Sequence, residues 1–130
     1  MDSFRGKFHN KDRARQLYSF EGMIWNKISP MDIDGLIEWK NKAYIIIELK
    51  YNDNKLLYGQ KLALERLTDD LTKTGKKVIC IIASHQTTNC NEDVIVAYAR
   101  VTSYIYSGKW IENGIINVKD LINWFLSIVP

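Results

Sequence analysis

Cysteine and long apolar runs are scarce in this chain of 130 residues, and each scarcity excludes a class of protein. Its two cysteines, Cys80 and Cys90, are too few for a disulfide scaffold and lack the spacing of a zinc site. The longest apolar runs, residues 43–47 and 78–83, are far shorter than the roughly 20 residues that span a bilayer. The charged N-terminal stretch lacks the apolar segment of about 7 to 15 residues that a secretory signal needs. We therefore expect a cytoplasmic protein with no membrane partner.

Length and charge are less restrictive. A chain of this length with 46% hydrophobic residues can form one core, so we expect a single domain over residues 1–130. The net charge of +3 permits a polyanionic partner without requiring one. Basic residues outnumber acidic ones near the N-terminus, which is typical of either a solvated helix start or a polyanion contact: Arg5, Lys7, Lys11, Arg13 and Arg15.

The pattern of apolar residues predicts an α/β (α+β) fold, with helices flanking a mixed sheet of four to five strands. The predicted helices cover residues 10–21, 56–73 and 118–129. The predicted strands cover residues 34–39, 43–51, 77–84 and 94–106, the last of them bulged, with a short strand near 24–27 and an extended segment at 109–110. The second helix should bury a stripe of Gln60, Leu64, Leu67 and Leu71, and the last helix one of Leu121, Ile122, Phe125 and Val129.

Three charged residues occur at the ends of the two strands predicted to form a hairpin. Glu48 and Lys50 should share one strand face about 7 Å apart, and Asp34 should approach them across the hairpin. An ordinary solvated strand face gives the same alternation. However, the upstream residues of that face, Tyr44 and Ile46, are apolar, which indicates that a helix covers it. Paired carboxylates at the rim of a covered face favour a bound divalent cation, with Asp34 and Glu48 as its ligands.

This pattern suits phosphodiester hydrolysis. Mg²⁺ binds one or two carboxylates and completes its shell with waters and substrate phosphate. Lys50 can orient or deprotonate the attacking water and offset the charge of the transition state. The chemistry needs Mg²⁺ or Mn²⁺ and no organic cofactor.

Asp34, followed fourteen residues later by Glu48-Leu49-Lys50, resembles the signature of the PD-(D/E)XK nuclease superfamily. The segment Pro30-Met-Asp-Ile-Asp34-Gly is similar to the one in which that superfamily places its first metal carboxylate. Its RecB-like and Holliday-junction-resolvase-like branches often place a glutamine or other polar residue where Tyr58-Gly-Gln60 begins the second predicted helix. The resemblance covers residues 10–85, a little over half of the chain.

The resemblance implies a restriction-endonuclease-like core and a catalytic set of Asp34, Glu48, Lys50 and Gln60. Gln60 is equally explained as a structural residue that caps a loop carbonyl. Asp32 and Glu21 are further candidate metal ligands. Asp32 begins no EF-hand, because the loop position that needs a bidentate glutamate is Ala43, and the chain is too short for a nucleotide-sugar transferase with an Asp-X-Asp motif.

Other polar and aromatic residues have weaker functional signals. His9 and His85 are either general bases or surface histidines. Aromatic residues can stack on bases of single strands, but Trp124 and Tyr18 fall at helical positions that favour packing.

These observations predict a metal-dependent deoxyribonuclease that selects a DNA structure such as a junction, end or flap, with a role in DNA recombination. The resolvase-like relatives imply a homodimer, and the compact size suits a phage origin. An accessory protein of the same fold that binds nucleic acid or protein without catalysis is the alternative. RNA remains open as the substrate.

Overall fold

A five-stranded mixed sheet flanked by two helices forms the larger part of the computed structural model, which describes residues 17–52, 54–112 and 116–130. The predicted fold class is therefore confirmed. The chain divides into two compact units, Met1–Met31 and Asp32–Pro130, and the sheet with its helices belongs to the second. The assignment of residues 1–130 to a single domain stays a prediction.

The sheet has the strand order β1-β2-β3-β4-β5. Its strands are β1 (Gly35–Trp39), β2 (Ala43–Tyr51), β3 (Lys77–His85), β4 (Arg100–Tyr106) and β5 (Lys109–Glu112). Strands β2 and β3 are parallel, and the crossover between them contains helix α1 (Tyr58–Thr72). The other neighbouring strands are antiparallel, and helix α2 (Val118–Ser127) follows β5. In the described parts of the chain, neither helix is long and apolar enough to span a bilayer.

The predicted β1–β2 hairpin is confirmed, and a tight turn at Lys40 and Asn41 closes it. Both residues have positive φ, at 50° and 59°, and the N–H of Lys42 donates to the carbonyl of Trp39 at 2.8 Å. Such left-handed turns match the twist of paired strands. The turn thereby sets the register, in which Trp39 pairs with Ala43.

Helices cover the two faces of the sheet. On one face α2 packs over a core that includes Ile45, Ile47 and Phe125. On the other face α1 packs over a core that includes Ile46 and Leu64, with Tyr44 at its margin. This arrangement agrees with the prediction that a helix covers the strand face of Tyr44 and Ile46. Strand β3 lies between β2 and β4 and is covered on both faces, as predicted for a central strand.

Helix α1 buries a slightly different stripe from the predicted one. Leu64 and Thr68 are each 1% exposed, whereas Leu67 is 37% exposed. Each residue advances about 100° around a helix, so Thr68 lies about 40° from Leu64, which is buried, and Leu67 lies about 60° from it on the other side. The prediction that Leu67 belongs to the buried stripe was wrong, because the stripe turns towards Thr68, a residue that was not counted as part of the core.

The last helix agrees with its prediction. The side chain of Asn117 accepts a hydrogen bond from the N–H of Asp120 at 2.8 Å, as an N-cap residue does. Leu121 and Phe125 are buried against the sheet, and Ile122 and Val129 pack beside them.

Strand β4 is shorter than predicted, since a turn of 3-10 helix at Val96–Tyr98 precedes it. The predicted bulge is present: Ile82 pairs with Ser103 and Ala83 with Val101, which leaves Thr102 as the extra residue.

The described residues of the first unit contain no helix. Residues 17–20 lack regular structure, so the prediction of helix through Glu21 was wrong there; its beginning lies outside the described residues, as do Arg5 to Arg15 and His9. The Ser19 hydroxyl accepts from the N–H of Glu21 at 3.2 Å, a local bond that competes with helix. The strand predicted near 24–27 was also wrong: a turn joins Trp25 and Ile28 in an isolated bridge.

Candidate metal and catalytic centre

The β1–β2 hairpin brings Asp34 next to Glu48. Asp34 directly precedes Gly35, which pairs with Ile47, so Asp34 is level with Glu48 on the neighbouring strand. The N–H of Leu49 donates to Oδ2 of Asp34 at 2.7 Å, which fixes this exposed aspartate against β2. A slip of one residue in this register would turn Asp34, next to the edge strand β1, to the other face of the sheet. The hairpin register therefore determines whether the two carboxylates meet.

Glu48 holds its carboxylate in a buried position, at 5% exposure. Nε2 of Gln60 donates to Oε2 of Glu48 at 2.7 Å, and Nζ of Lys50 lies 3.6 Å from the same oxygen. The other oxygen, Oε1, has no hydrogen-bond partner among the described residues. Burial raises the pKa of Glu48, and the carboxylate of Asp34 raises it further, while Lys50 and Gln60 partly oppose the shift. Glu48 thus presents a buried acceptor oxygen that a cation can satisfy.

The first turn of α1 positions Gln60. The helix begins at Tyr58, and Leu64, one turn beyond Gln60, anchors it to the sheet. The positive end of the helix dipole consequently lies beside Glu48. Oε1 of Gln60 is buried and also lacks a partner among the described residues. The side-chain amide donates to Glu48 and not to a loop carbonyl, which favours the interpretation of Gln60 as a site residue over that of a structural cap.

Lys50 supplies positive charge at the mouth of the site. Its side chain is 21% exposed, against 7% for that of Glu48, so the ammonium group lies between the buried carboxylate and solvent. A phosphate approaching from solvent would meet Lys50 and the acceptor oxygens together. The four predicted site residues are therefore brought to one edge of the sheet.

Asp32 and Glu21 stay candidate ligands on the sequence alone. In residues 17–52, 54–112 and 116–130, no three His, Cys, Asp or Glu side chains form a group that could hold a metal ion. Asp32 is exposed, and Glu21 lies in a turn instead of on the buried face of a helix. Asp34 and Glu48 would supply two carboxylates to a cation here, with other oxygens completing its shell.

Comparison with known proteins gives no match for this chain: no family model, curated protein or solved structure matches it. A function can therefore be inferred only from the contacts of Asp34, Glu48, Lys50 and Gln60 and from their resemblance to the PD-(D/E)XK signature.

His85 lies at the same sheet edge but on the other strand face. It pairs with Tyr51, which alternates with Lys50, and the two rings meet edge to face at 5.5 Å. Nδ1 of His85 accepts from the N–H of Thr87 at 3.3 Å. The histidine is thus engaged in local contacts away from Glu48.

Two of the aromatic residues differ in their environment. Trp124 packs edge to face on Tyr106 at 5.9 Å, which agrees with its prediction as a packing residue. Tyr18 is 88% exposed outside any helix, so its prediction as a packing residue was wrong.

Two further polar residues share the row of Lys50 across the sheet. Ser84 on β3 pairs with Lys50, and Arg100 on β4 pairs with Ser84. Their neighbours Ala83 and Val101 are buried in the α2-side core, so Ser84 and Arg100 lie on the face of Glu48. The Ser84 hydroxyl donates to the carbonyl of Asn52. This row was not predicted from the sequence, because its members become neighbours only through the order of the strands in the sheet. The one local signal was Ser84, a polar residue at the end of an apolar strand.

Proposed function

We propose that this protein is a cytoplasmic deoxyribonuclease that uses Mg²⁺ or Mn²⁺ to hydrolyse phosphodiester bonds in DNA. The observation that carries the proposal is the buried carboxylate of Glu48, which has one oxygen bonded to Gln60 and the other without a partner among the described residues, beside Asp34 and Lys50. Such a concentration of acceptor oxygens and one ammonium group favours a cation and a phosphate as joint ligands.

The donor set fits a hard divalent cation. Asp34 and Glu48 would hold the ion, and Oε1 of Gln60 adds a neutral oxygen without a partner among the described residues. Mg²⁺ commonly takes one or two carboxylates and leaves its remaining positions to water and phosphate. When bound, the ion would supply Lewis-acid activation of the phosphate and lower the pKa of water. It would also neutralise the repulsion that raises the pKa of Glu48.

Lys50 acts on the attacking water and on the phosphate, whereas the carboxylates hold the cation. Its ammonium group can hydrogen-bond the attacking water and offset the negative charge that builds on the phosphate oxygens. Water attacks phosphorus, the bond to the leaving oxygen breaks, and the leaving oxygen takes up a proton as the attacking water loses one, so that no bond to the enzyme forms. Gln60 keeps Oε2 of Glu48 oriented by its 2.7 Å hydrogen bond.

Selectivity for a DNA structure is part of the proposal. Sequence is read by side chains that reach base edges in the grooves, and the sheet unit from Asp32 to Pro130 has few elements beyond the sheet and its helices to supply them. A junction, flap or end offers shape and unpaired bases instead. A homodimer, with two such centres, would cut both strands.

The test is cleavage of end-labelled duplex, single-stranded, flapped and four-way-junction DNA in Mg²⁺, in Mn²⁺ and in EDTA. We expect metal-dependent cutting by the wild type and a loss of at least 100-fold in Glu48→Gln and Lys50→Ala. The matched controls are Glu112→Gln and Lys119→Ala, which change an exposed glutamate of β5 and an exposed lysine of α2. Equal activity of Glu48→Gln and Glu112→Gln would contradict the proposed site.

The alternative is an accessory protein that binds nucleic acid without cutting it. It would retain DNA binding in EDTA with no product in either metal. The buried carboxylate of Glu48 speaks against it, because burial beside Asp34 is unfavourable for a charge whose Oε1 has no hydrogen-bond partner among the described residues.

A further inference from the structure

A cavity of about 550 Å³ opens at the sheet edge that carries the proposed metal site. It lies where β3 ends and β4 begins, and its walls include Ser84, His85, Thr87, Ile95, Tyr98 and Arg100. Pockets that enclose small organic ligands span about 300 to 1,000 Å³, so one nucleotide unit fits in size.

The strand register connects the cavity with the metal site. Ser84 pairs with Lys50 and Arg100 pairs with Ser84, so the wall of the cavity starts one strand away from Lys50. With neighbouring strands about 4.8 Å apart, Arg100 lies on the order of 10 Å from Lys50. Lys50 and Arg100 thus lie on either side of the Ser84 hydroxyl in one row. A DNA strand whose phosphate contacts Lys50 would continue along this row into the cavity.

The walls combine an apolar surface with polar groups. Tyr98 is 70% exposed and Ile95 is 58% exposed, although both line a cavity, so their apolar surfaces are open to a ligand. Gln86 and Thr87 place an amide and a hydroxyl on the same cavity. A nucleobase has this combination of an apolar face, which stacks on aromatic rings, and a polar edge, which forms hydrogen bonds.

We propose, on the basis of the proposed function, that the cavity is a subsite for an unstacked nucleobase next to the scissile phosphate, with Tyr98 as its stacking residue. A base within a duplex is stacked and paired, and extruding it is unfavourable, whereas a base in a single strand enters without that penalty. The preferred substrate is therefore DNA that is single-stranded at the cleavage position, such as a flap or an overhang.

The experiment measures binding without cleavage. A fluorescent 12-nucleotide single strand and the corresponding 12-base-pair duplex are titrated in EDTA with the wild type, Tyr98→Ala and Tyr98→Phe. Loss of one base–aromatic stack should weaken single-strand binding of Tyr98→Ala by about 5- to 150-fold, while duplex binding changes less than twofold. Tyr98→Phe keeps the ring and should bind as the wild type does.

Trp124→Ala is the control for removing a partly exposed aromatic ring. Trp124 contacts Tyr106, which is at the end of β4 farthest from Arg100, and its replacement should leave binding of the single strand unchanged. Circular dichroism of each variant establishes that it folds.

Unchanged single-strand affinity of Tyr98→Ala would overturn the subsite, and so would an equal loss for strand and duplex. The separate cleavage assay distinguishes the two proposals. Cutting in Mg²⁺ without an effect of Tyr98 contradicts the subsite alone, whereas the Tyr98 effect without cutting in any metal contradicts the nuclease. Wild-type protein that binds neither DNA in EDTA contradicts the subsite, and the cleavage assay alone then decides on the nuclease.

Discussion

At the scale of single residues, Glu48 is the group whose environment most calls for a ligand. Its carboxylate is buried, faces Asp34 and retains an oxygen without a partner among the described residues. A buried carboxylate beside a second one is unstable unless a proton or a cation neutralises it. We therefore expect Glu48 to destabilise the metal-free protein and to stabilise the protein when a cation is bound.

Glu48→Gln is expected to stabilise the metal-free protein at pH 7 by about 1 kcal/mol, because it removes a buried charge that the carboxylate of Asp34 repels and whose Oε1 has no hydrogen-bond partner among the described residues. The raised pKa of Glu48 means that its contribution to stability is greatest at acidic pH and is lost as the pH rises through that pKa. The stability difference between wild type and Glu48→Gln should thus shrink towards pH 4. Urea unfolding in EDTA at pH 4 to 8 measures it.

The same variant should lose the response to metal. Mg²⁺ binds the folded site and should raise the Tm of the wild type, more at pH 7 than at pH 5, because protons compete for Glu48. Thermal unfolding of Glu48→Gln should be insensitive to Mg²⁺, while Glu112→Gln should respond as the wild type does. A full Mg²⁺ response in Glu48→Gln would contradict the assignment of Glu48 as a ligand.

Gln60 orients Oε2 of Glu48 through its side-chain amide and offers Oε1 to the proposed cation. Replacing groups that orient a metal ligand typically reduces metal affinity or activity 10- to 100-fold. We expect Gln60→Ala to lose about that much in Mg²⁺ affinity, measured by titration of the cleavage rate. Arg66→Ala, at an exposed position of α1, is the control. A loss in kcat alone with unchanged Mg²⁺ dependence would speak against this role.

At the scale of elements, the β1–β2 hairpin decides the geometry of the site, because its register sets Asp34 opposite Glu48. The turn places Lys40 at φ 50°, in the left-handed region that β-branched residues disfavour. Lys40→Val should therefore lower the free energy of unfolding by about 1 to 2 kcal/mol, whereas Lys40→Gly should change it by less than about 1 kcal/mol. Denaturant titration measures the free energy of unfolding of both variants. Equal values for Lys40→Val and Lys40→Gly would contradict the left-handed conformation of Lys40 in the turn.

The two cysteines report on the packing of β3. Burial raises the pKa of the Cys80 thiol to about 12, and the Thr68 hydroxyl only partly opposes this. Cys90 is exposed. A thiol reagent should modify Cys90 in the native protein and reach Cys80 only on unfolding, which mass spectrometry of digested protein detects. Rapid native labelling of Cys80 would contradict the central position of β3.

Sequence patterns predicted the strands and helices in which apolar residues recur at a regular spacing or in an unbroken run. Alternation in β2 and the apolar run of β3 were sufficient for their bounds, and Asn117 marked the start of α2. The patterns failed where local side-chain bonds decide the backbone, as at Ser19. They were silent on strand order, and for that reason Asp34, Glu48 and Lys50 were found within one hairpin while Ser84 and Arg100 were not.

At the scale of the whole molecule, the parallel pair β2 and β3 gathers polar residues at one sheet edge. Strand β1 begins there after Asp34, β2 ends there just after Lys50, and β4 begins there with Arg100. The faces of the sheet are committed to packing by α1 and α2, so this edge remains for ligands. Such edges at the carboxyl ends of parallel strands are common ligand sites in α/β proteins.

The most direct test is the initial rate at which the purified protein cuts an end-labelled DNA flap, measured in Mg²⁺ and in EDTA for wild type, Glu48→Gln and Glu112→Gln. The account predicts cutting by wild type and Glu112→Gln in Mg²⁺ only, with Glu48→Gln at least 100-fold slower although folded. Cutting that persists in EDTA or in Glu48→Gln would contradict it.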